Sequence, residues 1–116
     1  MNILIVDDSR AMRMIVQRAL RQTGLPIKQF YEAENGRVAL DVVSAESPDW
    51  ILCDWNMPEM TGIEFLRELR GNGNQTRFGF VTSQSAPEIR DTALEAGAQF
   101  LITKPFTPDA FEKALS

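Results

Sequence analysis

Apolar residues in this chain fall in short runs that each stop at a polar side chain. Ile3 to Val6 precede Asp7 and Asp8, Trp50 to Cys53 precede Asp54, Phe78 to Val81 precede Thr82, and Phe100 to Thr103 precede Lys104. Runs of this length without polar alternation describe strands buried on both faces, the signature of a parallel sheet. The pattern predicts strands over residues 2–7, 27–33, 50–54, 77–82 and 99–103, with a helix after each.

The intervening segments switch to helical spacing. From Arg10 to Arg21, residues Met12, Ile15, Val16, Ala19 and Leu20 share one stripe, while Arg13, Gln17, Arg18 and Arg21 fall mostly outside it; Gly24 suits the end. A second helix follows Asn35-Gly36, carries Val38, Ala39, Val42 and Val43, and ends before Ser47-Pro48. Capping-box spacing opens the third at Thr61-x-x-Glu64, with Ile63, Leu66 and Leu69 facing inward. The same spacing, Ser85-x-x-Glu88 with Pro87 in the first turn, predicts the start of the fourth, which closes at Gly97. Thr107-Pro108 opens the fifth, which carries Ala110, Phe111, Ala114 and Leu115. Between the third helix and fourth strand, Gly71 to Thr76 is polar and glycine-containing and is expected to be a mobile loop.

Alternating strands and helices require crossovers long enough to hold a helix, and right-handed crossovers dominate. The sheet could wind in one direction, or start in the middle and reverse as 2-1-3-4-5. The second order brings the first, third, fourth and fifth strand ends around one crevice, where ligands of open α/β sheets bind. The expected fold is therefore an α/β, flavodoxin-like (βα)5 three-layer sandwich, a single domain over residues 1–116.

Composition narrows the chemistry. The 116 residues are 44% hydrophobic and 24% charged, as in ordinary globular proteins, and no apolar run is long enough for a membrane span. The first residues lack a signal-peptide pattern, so a cytoplasmic location without membrane association is expected. A net charge of −4 disfavours direct nucleic-acid binding. The single Cys53 lies inside an apolar run and is expected to be buried and inert. With no histidine, Ser-His-Asp and Cys-His catalysis and His-containing zinc sites are excluded.

What remains is carboxylate, hydroxyl and lysine chemistry. Asp7, Asp8 and Asp54 on adjacent strand ends repel one another, and a divalent cation relieves that repulsion. Hard oxygen ligands favour Mg²⁺, Mn²⁺ or Ca²⁺ over zinc, and a site of few carboxylates suits Mg²⁺ working beside a phosphate. A carboxylate is then the available nucleophile, able to form an acyl phosphate. Asp54, after the most hydrophobic run, is the best candidate; Thr82 offers a hydroxyl and Lys104 a mobile positive charge.

Asp7-Asp8, then Asp54-Trp55-Asn56-Met57-Pro58 with Gly62, then Thr82-Ser83, then Lys104-Pro105-Phe106, together resemble the receiver domain of two-component response regulators, and the single-domain CheY-like members in particular. The resemblance spans essentially the whole chain. It implies that Asp54 is the phosphoacceptor, with Thr82 and Lys104 contacting the phosphoryl group. It implies Mg²⁺, replaceable by Mn²⁺, on Asp7, Asp8, Asp54 and the backbone carbonyl of Asn56, and a cis Lys104-Pro105 bond. The donor it implies is a phosphohistidine on a sensor histidine kinase or histidine phosphotransfer protein. The chain would catalyse only its own phosphorylation and dephosphorylation. The downstream partner would be a protein target, an effector domain or a second copy in a phosphorylation-dependent dimer, docked on the fourth helix, fifth strand and fifth helix, including Leu101, Phe106 and Phe111.

Two positions depart from the family pattern. Receivers commonly carry Tyr or Phe three residues before the conserved lysine, where this chain has Leu101, with Phe100 one place earlier. Side chains alternate across a strand, so Phe100 and Leu101 are expected on opposite faces, and an aromatic switch coupled to Thr82 would be weakened or absent. Ser83 stands where Ala or Gly is usual. Two rival functions use the same residues. A haloacid-dehalogenase-like phosphatase also employs an aspartate nucleophile and Mg²⁺, but is expected to begin with Asp-x-Asp rather than adjacent aspartates. A pseudo-receiver would bind partners without being phosphorylated.

Overall fold

The computed structural model describes residues 1–116. Strands β1 (Asn2–Val6), β2 (Gln29–Ala33), β3 (Trp50–Cys53), β4 (Arg77–Thr82) and β5 (Phe100–Thr103) alternate with helices α1 (Arg10–Arg21), α2 (Gly36–Glu46), α3 (Gly62–Gly71), α4 (Pro87–Glu95) and α5 (Pro108–Leu115). All strand pairs are parallel and the order is β2-β1-β3-β4-β5. The chain therefore starts in the middle of the sheet and reverses.

Strand alternation divides the core into two layers. Leu4, Val6, Ile51, Cys53, Phe78, Phe80 and Leu101 point to the side of α2, α3 and α4. Ile3, Ile5, Trp50, Leu52 and Val81 point to the other, against α1 and α5. Strands β1, β3 and β4 are buried on both faces, so their sequences read as uninterrupted apolar runs. The edge strands are partly exposed, which is why β2 carries the mixed sequence Gln29-Phe30-Tyr31-Glu32-Ala33.

The fifth-strand offset is resolved as expected. Phe100 packs beside Trp50 with ring centroids 5.5 Å apart, and its ring occupies the space that a side chain at Gly79 would need. Leu101, 6% exposed, joins the opposite layer.

Several local expectations are corrected. Ile15 is 50% exposed, because only Val16, Ala19 and Leu20 of the α1 stripe are fully inside. Val38 is also exposed, and Phe65 rather than Ile63 is the buried residue early in α3. The Ser85-Glu88 capping box does not form; the N-cap is Ala86, without a side-chain cap. Pro87 is the cause, since a proline at the first helical position pushes the residue before it into extended backbone. The Gly71–Thr76 stretch, expected to be mobile, is a tied turn. Arg70 donates to the carbonyls of Asn74 (2.9 Å) and Gly97 (2.8 Å), and Thr76 N–H donates to Asn74 Oδ1 (2.9 Å).

Candidate functional site

The parallel register continues past the strand ends, and this places the site. Asp7 N–H donates to Ala33 O (3.1 Å), Asp54 N–H to Val6 O (2.9 Å), and Lys104 N–H to Thr82 O (2.8 Å). Asp7 and Asp54 thus emerge side by side from β1 and β3, with Thr82 at the end of β4 and Lys104 just past β5. The expected strand ends at Asp7 and Asp54 fall one residue beyond the ladder proper, which frees their side chains to turn inward.

Asp7, Asp8 and Asp54 each present a carboxylate oxygen within 4.8 Å of the others. Lys104 Nζ lies 3.5 Å from Asp7 Oδ2 and 3.7 Å from Asp54 Oδ1. Asp7 is buried and its Oδ1 accepts the Ser9 N–H at 2.9 Å, whereas Asp8 is exposed. Asp54 Oδ1 accepts the Trp55 N–H at 2.8 Å, leaving Oδ2 without a hydrogen bond. Burial raises the Asp54 carboxyl above its ordinary pKa; Lys104 and the Trp55 N–H oppose the shift, while Asp7 and Asp8 add to it.

Three hard oxygen donors converging at this spacing fit a small divalent cation such as Mg²⁺ or Mn²⁺. Asn56 lies in the β3–α3 loop and its carbonyl accepts no hydrogen bond from the chain, so it is free to act as a further donor. That loop is shaped tightly. Met60 N–H donates to Pro58 O at 2.7 Å across Glu59, whose φ of 66° is unusual for a residue with a side chain. Gly62 N–H donates to Trp55 O (2.9 Å), and a Cβ on Gly62 would collide with the Asp54 carbonyl.

Thr82 is completely buried; its Oγ1 accepts the Gln84 N–H at 3.2 Å and makes no hydrogen bond to Asp54. It is therefore aligned with the cluster without being joined to it. The Lys104-Pro105 bond is cis. Cys53 is wholly buried, as expected, and donates to the Asp54 carbonyl (3.1 Å); burial, with Asp54 and Asp7 nearby, pushes its thiol pKa well up.

Two residues of the site were not singled out in the sequence. Arg13, left outside the α1 stripe, is 14% exposed and bonds to the Asp7 carbonyl at 2.7 Å and to Glu32 at 2.8 Å. Asn35 is buried, caps α2 through the Val38 N–H (2.9 Å), and lines an open polar cleft with Asp8, Glu34, Pro58 and Glu59. The Asn35-Gly36 turn signal was available for Asn35; nothing in the helical periodicity marks Arg13. On the α4–β5–α5 side, Leu101 and Phe111 are buried and Phe106 is half-buried against Phe111, so the expected docking residues Leu101 and Phe111 belong to the core. The apolar residue exposed on α4 is Leu94.

Comparison with known proteins agrees with this geometry. The model of the response regulator receiver domain matches residues 3–116. Chemotaxis protein CheY of Bacillus subtilis is 36% identical over 114 residues, which cover 98% of this chain and 93% of that protein. Response regulator MprA of Mycolicibacterium vanbaalenii is 36% identical over 104 residues, 90% of this chain, but the match spans only 44% of MprA. Among solved structures, the signal receiver domain of NarL from Mycobacterium tuberculosis superposes with a TM-score of 0.88 at 31% identity, covering 98% of this chain and 91% of that one. Vibrio cholerae CheY4 gives 0.82 at 33% identity, covering 98% and 94%. With fold, strand-end residues and sequence in agreement, the chain belongs to the response regulator receiver domain family.

Proposed function

We propose that this chain is a phosphorylation switch in which Asp54 accepts a phosphoryl group from a phosphohistidine on a sensor kinase or histidine phosphotransfer protein. The observation that carries the reading is the convergence of three carboxylate oxygens within 4.8 Å of one another beside Lys104 Nζ. Asp54 Oδ2, which accepts no hydrogen bond, is the attacking atom; its bond to phosphorus forms as the donor's nitrogen–phosphorus bond breaks, and the imidazole leaves. Asp7, Asp8, Asp54 and the Asn56 carbonyl would hold Mg²⁺ or Mn²⁺, which when bound supplies positive charge beside the phosphoryl oxygens. Lys104 supplies the protein's own positive charge, and the Trp55 N–H orients the nucleophile from Oδ1.

Phosphorylation adds about −1.5 to −2 charges to the Asp54 side chain. Lys104, 3.5 Å from Asp7 and 3.7 Å from Asp54, is placed to move toward the new oxygens, and Thr82 Oγ1 to exchange its bond with Gln84 for one to the phosphoryl group. Both residues connect to β5, through the Lys104 N–H to Thr82 O bond and the Thr82–Thr103 pairing, so the change reaches the α4–β5–α5 face. That face would bind a protein target, an effector domain or a second copy. We place the activity in a single domain over residues 1–116 acting in the cytoplasm; no helix is long and apolar enough to cross a membrane.

The test is intact mass after incubation with acetyl phosphate. The wild type is expected to gain one phosphoryl group only when Mg²⁺ is present, and Asp54→Asn none. Equal incorporation in Asp54→Asn contradicts the assignment, and sustained release of inorganic phosphate from unrelated phosphomonoesters would favour a phosphatase.

A further inference from the structure

We propose that Arg13 is a positioning residue for the carboxylate cluster, setting the direction of Asp8 by locking the peptide plane between Asp7 and Asp8. The inference rests on reading that cluster as a divalent-cation site. Arg13 Nη1 donates to the Asp7 carbonyl at 2.7 Å, and this is the only hydrogen bond that carbonyl accepts from the chain. The carbonyl belongs to the planar unit that ends at the Asp8 Cα, so fixing its direction fixes where the Asp8 side chain starts. Asp8 itself is exposed and its carboxylate makes no hydrogen bond or ion pair, so its backbone is what places it.

The other end of the guanidinium is anchored. Nε donates to Glu32 Oε1 at 2.8 Å, and Glu32 sits on β2 in register with Ile5 of β1. Arg13 thus ties the β1–α1 loop to the edge strand through a planar fork, with only 14% of its side chain exposed. A lysine ammonium offers the same charge without the fork and cannot reproduce both bonds in one fixed geometry.

Charge and positioning predict opposite signs. A cation beside the cluster repels Mg²⁺, so if Arg13 acted through its charge, removing it would tighten metal binding. If it acts by holding the Asp7–Asp8 peptide, removing it weakens binding, by about tenfold on the scale of other groups that orient metal ligands.

The experiment is a Mn²⁺ titration followed by the paramagnetic resonance of the free ion, on the wild type, Arg13→Ala and Arg13→Lys, with metal-free thermal unfolding run alongside. Both variants are expected to unfold cooperatively and to bind Mn²⁺ about tenfold more weakly than the wild type. Wild-type or tighter binding in either variant overturns the positioning role, as does loss of cooperative unfolding in both, which would make Arg13 structural. No Mn²⁺ binding by the wild type overturns the cation site itself and this inference with it.

Discussion

Glycine 62 shows how closely the nucleophile is fitted. A Cβ there would meet the Asp54 carbonyl, a backbone atom that cannot rotate away, and also the Phe80 ring at 2.9 Å. We predict that Gly62→Ala displaces the Asp54 loop, destabilises the fold by roughly 1–3 kcal/mol as overpacking does, and slows phosphorylation. Gly71→Ala is the control, since nothing lies within 4 Å of a Cβ at that position. Urea unfolding and phosphorylation rate check the pair, and equal behaviour of the two variants counts against the close fit. At this scale the sequence was partly legible. The convergence of Asp7, Asp8, Asp54 and Lys104 at one sheet edge was readable because they follow apolar runs, whereas Thr82 ends its run without joining the cluster. Arg13 was not, because helical periodicity separates wet from dry faces and says nothing of a long side chain that reaches from the wet face back to the Asp7 carbonyl. Phe100 and Leu101 were assigned to opposite faces correctly, since the two-residue period of a strand leaves no other arrangement.

Helix starts show what local signals can and cannot fix. At α3, Thr61 Oγ1 accepts the Glu64 N–H at 3.3 Å, and Glu64 Oε1 accepts the Thr61 N–H at 3.0 Å. The Thr61 N–H, together with the Thr61 hydroxyl that donates to the same Oε1 at 2.9 Å, holds the Glu64 carboxyl below its ordinary pKa. At α4 the same four-residue spacing makes no cap, because Pro87 sets the boundary at Ala86. Thr61→Ala is therefore expected to lower stability by about 1 kcal/mol, and Ser85→Ala to leave the midpoint of urea unfolding unchanged; a comparable loss from both would mean that Ser85 caps after all. The tied turn after α3 carries the same lesson. Its composition suggested mobility, but Arg70 reaches Asn74 nearby and Gly97 from a distant segment, and no short window reveals the second contact.

For the whole molecule, the order β2-β1-β3-β4-β5 was legible because only a sheet that reverses from the middle gathers the polar strand ends into one crevice. The electrostatic consequence of that gathering is measurable. Burial, with Asp7 and Asp8 beside it, raises the Asp54 carboxyl above 3.8 despite Lys104 and the Trp55 N–H. The native state then holds this proton more tightly than the unfolded chain, so stability falls as pH rises from the ordinary aspartate value through the raised one. In metal-free buffer, Asp54→Asn is expected to melt at a higher temperature than the wild type near neutral pH. The difference should shrink as pH falls toward about 3.9, where the unfolded carboxyl is also protonated. A variant that melts lower at neutral pH, or a gap that does not change with pH, contradicts that balance of charges. Both would leave the fold intact but not its cost at Asp54.

The site of phosphorylation is the central claim, and borohydride trapping reads it most directly. Borohydride reduces an aspartyl phosphate to homoserine, which marks the acceptor in the peptide map. After treatment with acetyl phosphate and Mg²⁺, homoserine is expected at position 54 and at no other aspartate. Homoserine at Asp7 or Asp8, or none in a protein that has gained a phosphoryl group, would contradict the assignment of Asp54 as nucleophile.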